Sequence, residues 1–206
     1  RVDHRGEGLA GKTLGTVGLG NIGTEICRLC APLDMNFIYT DPYVDASVGQ
    51  SVNARAVDLE TLFRESDFVA INAPYNEETR HLVNAERLAM MKSSAYLINT
   101  ARGPLVDQKA LLKALEDGTI AGAALDVFDP EPPEKDDPLL KLDNVILTPH
   151  ALCWTDQCFA GIGASAISAV LDVKNGKPPA HPVDPSVLEN RRFQDRLAGN
   201  RKLFPD

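Results

Sequence analysis

The chain has no apolar run approaching the roughly 20 residues that a membrane-spanning helix needs, and no cluster of lysines and arginines. With 21 basic against 29 acidic residues the formal net charge is −8. Such a surface repels the phosphate backbone of a nucleic acid, which counts against that class of partner. Cysteine is sparse: four residues, at positions 27, 30, 153 and 158. Cys27-Arg28-Leu29-Cys30 has the spacing of a redox or zinc pair. It lies in a helical segment, however, where both thiols are expected to pack in the core, so no metal is assigned. Free buried thiols suit a reducing cytoplasm. There is no internal repeat and no low-complexity tract. What remains is 44% hydrophobic and 24% charged over 206 residues. That is an ordinary globular composition, with length for one large α/β domain and an extension.

The segment Gly18-Leu19-Gly20-Asn21-Ile22-Gly23 has G-x-G-x-x-G spacing, and its flanks inform as much as its glycines. Lys12 to Val17, before it, suits a buried parallel strand. Thr24 to Leu29, after it, is helical in spacing and is closed by Pro32. A second β-rich run, Phe37-Ile38-Tyr39-Thr40, stops at Asp41. Strand, glycine turn, helix, strand and terminal acid is the context in which this spacing binds a dinucleotide. Gly18 allows the tight turn, Gly20 lets a pyrophosphate approach the backbone, and Gly23 lets helix and strand pack closely. The diphosphate then meets a helix N-terminus, where free N–H groups and the macrodipole favour an anion. Asp41, eighteen residues past Gly23, can accept hydrogen bonds from ribose hydroxyls. Its charge repels a 2′-phosphate, and Pro42 and Tyr43 supply no cation, so the pattern selects NAD over NADP. The plainer alternative is a simple tight turn beside a solvated strand end.

Further strand-like runs are Phe68 to Ile71, Ala95 to Ile98, Ala121 to Leu125 and Val145 to Leu147, which makes six in all. Helical patterns lie between them at Asp58 to Glu65, Asn84 to Lys92 and Asp107 to Asp117, the last with Asp107 as N-cap and Gly118 as terminator. Alternation of this kind implies a Rossmann-type doubly wound parallel sheet. Asp129 to Pro138 holds four prolines in ten residues and is expected to be a loop. Phe159 to Val173 reads as a long amphipathic helix ending near Gly176. The expected organisation is a dinucleotide-binding domain over residues 1–176 and a C-terminal extension over 177–206.

Polar residues gather where strands end, on the face at which an open α/β sheet binds ligands. Asn99-Thr100-Ala101-Arg102-Gly103-Pro104 follows the fourth strand, Asp126 to Pro132 the fifth, and Thr148-Pro149-His150 the sixth. A guanidinium, a carboxylate and an imidazole thereby reach one rim, a set that suffices to reduce a carbonyl beside a nicotinamide. Taken singly each has a plainer explanation. Arg102 could cap a loop or pair with Asp107, Glu131 could be solvated, and His150 could be structural. His4, His81 and His181 have no such context and are expected at the surface.

From Gly8 to about Asn175 the chain closely resembles the NAD-binding domain of the D-isomer-specific 2-hydroxyacid dehydrogenases. The resemblance rests on GKTLGTVGLGNIG, INTARGPLVD, AGAALDVFDPEP and NVILTPH in order and spacing. It implies a Rossmann domain set against a smaller substrate domain. Arg102 would bind the substrate carboxylate and carbonyl, His150 would be the acid/base and Glu131 its carboxylate partner. Asn21, Ile22, Asp41, Ala73, Pro74, Thr100, Ala101 and Asp126 would line the cofactor together with the glycines, Asp126 holding the nicotinamide carboxamide. Arg102 and His150 would stand at the reacting end. Glutamate at 131 argues against a formate-dehydrogenase-like member, where glutamine stands. A homodimer through the cofactor domain is also implied, with Arg1 to Lys12 and the proline loop after Glu131 as candidate contacts.

Two departures from the family pattern stand out. Ala151-Leu152-Cys153-Trp154-Thr155 replaces a glycine-bearing segment after the histidine, and the bulky pair would reshape the pocket wall. The N-terminal part of the substrate domain has no counterpart here; only a C-terminal return segment from Pro178 is expected. The alternative class is a non-catalytic NAD-sensing interaction protein, like the C-terminal-binding corepressors.

Overall fold

The structure, a computed structural model, describes residues 6–204. Among them seven strands form one wholly parallel sheet. These are β1 (Thr13–Val17), β2 (Asn36–Thr40), β3 (Ala54–Ala56), β4 (Phe68–Ile71), β5 (Tyr96–Asn99), β6 (Gly122–Leu125) and β7 (Val145–Leu147). Their spatial order is β3-β2-β1-β4-β5-β6-β7. The order reverses between β1 and β4, which is where a doubly wound sheet opens a crevice. All six expected strands are present, and β3 is an addition.

The helices are α1 (Asn21–Cys30), α2 (Ala46–Ser51), α3 (Leu59–Glu65), α4 (Ala85–Met90), α5 (Gln108–Glu116), α6 (Asp156–Lys174) and α7 (Arg191–Leu203). Local chemistry starts several of them. Asp58, Asn84 and Asp107 accept hydrogen bonds from Thr61 N at 2.7 Å, Arg87 N at 3.0 Å and Ala110 N at 3.1 Å, which satisfies donors that a helix start leaves orphaned. Leu62, Phe63, Leu88, Leu111 and Leu115 then bury their apolar faces with Val69 and Leu97 of the sheet in one core cluster. A second cluster joins α1 to β1 and β2 through Leu14, Leu19, Cys27, Phe37 and Tyr39. Of the two thiols in α1, Cys27 is buried in this cluster and Cys30, half-buried, packs against it, as expected for the pair. Burial, with Cys30 alongside, pushes the Cys27 thiol up to about 11, away from the thiolate that redox or metal chemistry uses.

One row of residues runs across the sheet. Val17 pairs with Thr40 of β2 and Ile71 of β4, and Ile71 with Asn99, Asn99 with Leu125 and Leu125 with Leu147. Beyond that row Gly18, Asp41, Asn72, Thr100, Asp126 and Thr148 are each the first residue after their strand. Parallel pairing in this register delivers six loops to one rim.

The chain divides into two compact units between Leu152 and Cys153, earlier than the boundary expected after residue 176. The second unit contains α6, a 3-10 turn at Pro185–Glu189 and α7. Within it Leu197 is buried, Asn200 Nδ2 donates to Val173 O at 2.8 Å and Arg201 Nη2 to Gly176 O at 2.7 Å. No residue of α6 is buried. The long helix expected over Phe159 to Val173 is present, and its Phe159, Ile162, Ile167 and Val170 are exposed. No helix among the described residues is long and apolar enough to cross a membrane.

Candidate active site

The three glycines of the turn do three different things. Gly18 has φ of +93°, and a Cβ on it would lie 2.9 Å from Asn72 C. Conformation and space therefore both exclude a side chain. A Cβ on Gly23 would meet Gly18 O at 2.4 Å, whereas one on Gly20 would meet nothing within 4 Å. Gly23 thus lets α1 approach β1, and Gly20 leaves the space above the turn open. Thr16, fully buried, donates from Oγ1 to Gly18 O at 2.7 Å and accepts from Asn72 Nδ2 at 2.7 Å. No side chain caps α1, while Asn21 and Ile22 in its first turn are exposed. Its leading N–H groups thus remain available to an anion.

Asp41 closes the other side of the crevice. Its Oδ2 accepts from Leu19 N at 2.8 Å, and its Oδ1 from Tyr43 N at 2.9 Å and Val44 N at 3.2 Å. The carboxylate therefore holds the glycine turn and its own turn together. A cavity of about 630 Å³ opens beside it, lined among others by Gly18, Asp41, Tyr43, Ala73, Pro74 and Glu78. Among the described residues its walls carry two carboxylates, Asp41 and Glu78, and no lysine, arginine or histidine. Apolar walls, an uncapped helix start and a carboxylate at the end of β2 fit a dinucleotide whose ribose carries no 2′-phosphate.

The loop after β5 is built by Asn99, which accepts from Ala101 N at 3.1 Å and donates to Arg102 O at 2.9 Å. Thr100 and Arg102 are exposed, and Ala101 is half-buried. Arg102 donates from Nη1 to Ala101 O at 2.6 Å. Asp107, its suggested ion-pair partner, instead caps α5. Gly103 sits against the loop after β6: a Cβ there would lie 1.8 Å from Phe128 O. That contact draws the Arg102 loop onto the segment leading to Glu131.

Glu131 Oε1 is in hydrogen-bond contact with His150 Nδ1, and its Oε2 accepts from Phe128 N at 3.3 Å. The hydrogen bond from His150 holds the Glu131 carboxyl below its usual value. Partial burial opposes this, while Phe128 N–H and the charges of His150 and Arg102 add to it. His150 has φ of +53°, a left-handed backbone that non-glycine residues enter at a cost and that clusters at functional sites. Asp126 is buried behind it. Burial alone would raise its pKa. Hydrogen bonds from Thr148, Ala151 and Leu152, with the charge of His150, outweigh that and hold it below the ordinary carboxylate range.

All the residues singled out from the sequence thus lie on this rim or along the crevice: Gly18, Gly20, Asn21, Ile22, Gly23, Asp41, Ala73, Pro74, Thr100, Ala101, Arg102, Asp126, Glu131 and His150. Gly103, Thr148 and Glu78 belong with them and were not singled out. A glycine straight after the arginine and a hydroxyl two residues before the histidine were the available signals. Of the other histidines, His181 is exposed, whereas His81 is half-buried with φ of +48°, a correction to its expected surface place. His4 lies outside the described residues.

Fold and crevice together define a dinucleotide-binding α/β domain of the Rossmann type. The chain belongs to the D-isomer specific 2-hydroxyacid dehydrogenase family: residues 1–151 match its NAD binding domain. It is 42% identical over 181 residues to a glyoxylate reductase of Korarchaeum cryptofilum, covering 88% of this chain and 54% of that protein. The holo form of D-mandelate dehydrogenase from Rhodotorula graminis superposes with a TM-score of 0.82 at 34% identity, over 88% of this chain and 54% of that one. The NAD complexed form of a D-isomer specific 2-hydroxyacid dehydrogenase from Lactobacillus delbrueckii gives a TM-score of 0.81 at 30% identity, over 89% and 60%. The chain spans about half the length of the curated relatives it matches. NAD is the cofactor of the matched domain, as the glycine turn and Asp41 led one to expect.

Proposed function

We propose that this chain is the cofactor-binding part of an NAD-dependent oxidoreductase that interconverts a D-2-hydroxy acid and its 2-oxo acid. The observation that carries the reading is the His150–Glu131 contact on the same rim as Arg102 and the glycine turn. NAD, when bound, supplies the hydride acceptor or donor. The chain's own residues do the rest. The N–H groups at Asn21, Ile22 and Gly23 receive the diphosphate, Asp41 accepts from a ribose hydroxyl, and Asp126 accepts from the carboxamide. His150 gives a proton to the carbonyl oxygen in reduction and takes one from the hydroxyl in oxidation. Glu131, in hydrogen-bond contact with His150 Nδ1, holds the ring in place. Arg102, always charged and planar, holds the substrate carboxylate.

In the longest natural form of the protein, His150→Ala lowers kcat for a 2-oxo acid by roughly two to four orders of magnitude. Steady-state NADH oxidation over a panel of 2-oxo acids measures this, and a variant with unchanged kcat removes His150 from the mechanism. Binding of NADH without turnover of any member of the panel would favour the NAD-sensing interaction protein instead.

A net charge of −8 with no basic cluster supports a small-molecule partner over a nucleic acid. The free cysteines among the described residues support a reducing, cytoplasmic setting. The homodimer rests on the family resemblance, and a sedimenting monomer at micromolar concentration would refute it.

A further inference from the structure

His150 occupies a backbone conformation that its own side chain does not favour, so something outside it must hold the loop. Asp126 is that fixture. Its Oδ1 accepts from Thr148 Oγ1 at 2.6 Å and from Ala151 N at 3.0 Å, and its Oδ2 from Leu152 N at 3.4 Å. The three donors bracket His150, one standing two residues before it and the others one and two residues after. Both ends of the clamp are anchored to the sheet. Asp126 N donates to Asn99 O at 3.0 Å and Thr148 N to Leu125 O at 3.0 Å, and Asp126 is 4% exposed.

We propose that Thr148 is a positioning residue: its hydroxyl fixes Asp126, and through Asp126 the left-handed turn that presents His150 Nδ1 to Glu131. Of the three donors, the hydroxyl is the one a substitution can delete without touching the backbone or the carboxylate. It also makes the shortest of the three bonds, charge-assisted and on a buried carboxylate. Its loss leaves a buried carboxylate with two backbone donors, the second of them long, and frees the turn to relax toward negative φ. The imidazole then leaves Glu131, and neutral His150 no longer keeps its proton on Nδ1. This inference goes beyond the reading above and rests on it only in treating His150 as the acid/base.

The ring tautomer of His150, read by long-range ¹H–¹⁵N correlation on the purified chain at alkaline pH, tests it without any turnover. His150→Gln identifies the signal among the four histidines. The unaltered chain shows the Nδ1–H tautomer. Thr148→Val and Thr148→Ala both lose it, in favour of Nε2–H, while thermal unfolding shows a folded domain and NADH still binds. Thr148→Ser restores Nδ1–H. In the longest natural form, kcat for a 2-oxo acid falls about a hundredfold in Thr148→Val, the cost of a misplaced catalytic group, with little change in KM, and Thr148→Ser recovers most of it. Wild-type tautomer in both hydroxyl-lacking variants overturns the proposal. So does the failure of both to fold, because a positioning role leaves the fold intact. A chain that shows the tautomer changes but never turns over substrate sinks the enzyme reading alone.

Discussion

At Asp41 three backbone N–H groups already occupy the carboxylate, out of about four acceptor positions, so roughly one is left for a ribose hydroxyl. The residue ties the glycine turn to its own turn as well as carrying charge. Asp41→Asn keeps one acceptor oxygen and sets an NH₂ against Leu19 N or the Tyr43–Val44 turn. NADH affinity is therefore expected to fall about tenfold, or ~1.4 kcal/mol. NADPH is not expected to become the better ligand, because Glu78 still lines the cavity. The unaltered chain should itself favour NADH over NADPH by about tenfold or more, since a 2′-phosphate would meet uncompensated carboxylates. Calorimetry with both nucleotides decides it, and equal affinities for the two would remove Asp41 from the selective role. Residues of this kind were legible because an acid after a strand and an arginine or histidine at a strand end belong to few patterns. Gly103 and Thr148 were not, because their importance is set by Phe128 O and by Asp126, which only folding brings near.

Among elements, long apolar or clearly capped segments announced themselves and short ones did not. β3 has three residues, and its Arg55 and Ala56 are exposed; pairing with β2 makes it a strand, not its own pattern. α2 is six residues with a glycine and two serines, and Asp45 starts it by accepting from Ser47 N at 2.9 Å. α7 lies in the expected C-terminal extension. Its helix comes from an Asn190 cap, which accepts from Arg192 N at 3.0 Å, and from one buried leucine, Leu197. The two loops that carry Arg102 and Glu131 make a sharper case, because each depends on the other at Gly103. Gly103→Ala forces a methyl into Phe128 O, and overpacking of this kind costs about 1–3 kcal/mol. Denaturant unfolding should register that loss, with the Arg102 loop displaced. An alanine variant of unchanged stability would show that the two loops are not packed as described.

On the scale of the whole molecule, the division after Leu152 nearly coincides with the end of the family match at residue 151. Both core clusters, the crevice and the whole rim lie before it. Residues 1–152 alone are therefore expected to fold cooperatively and to bind NADH within about threefold of the full chain, roughly 0.7 kcal/mol. Circular dichroism and calorimetry on the truncated protein measure both. An unfolded product would mean that α6 and α7 contribute to the first unit. Turnover has a further requirement: a second wall that excludes water and orients the 2-oxo acid against Arg102.

The single residue row from Thr40 and Val17 through Ile71, Asn99 and Leu125 to Leu147 acts as a common ruler for six loops, and this governs which insertions and deletions the protein tolerates. A residue added within β5 would carry Arg102 about 3.3 Å along the strand and turn every later side chain to the opposite face. His150, on the loop after β7, would not move with it, and Gly103 would lose its seat against Phe128 O. The same residue added on the far edge of the sheet, between α3 and β4 or between α5 and β6, shifts nothing on the rim. Length variation compatible with this chemistry is therefore confined to one edge of the sheet.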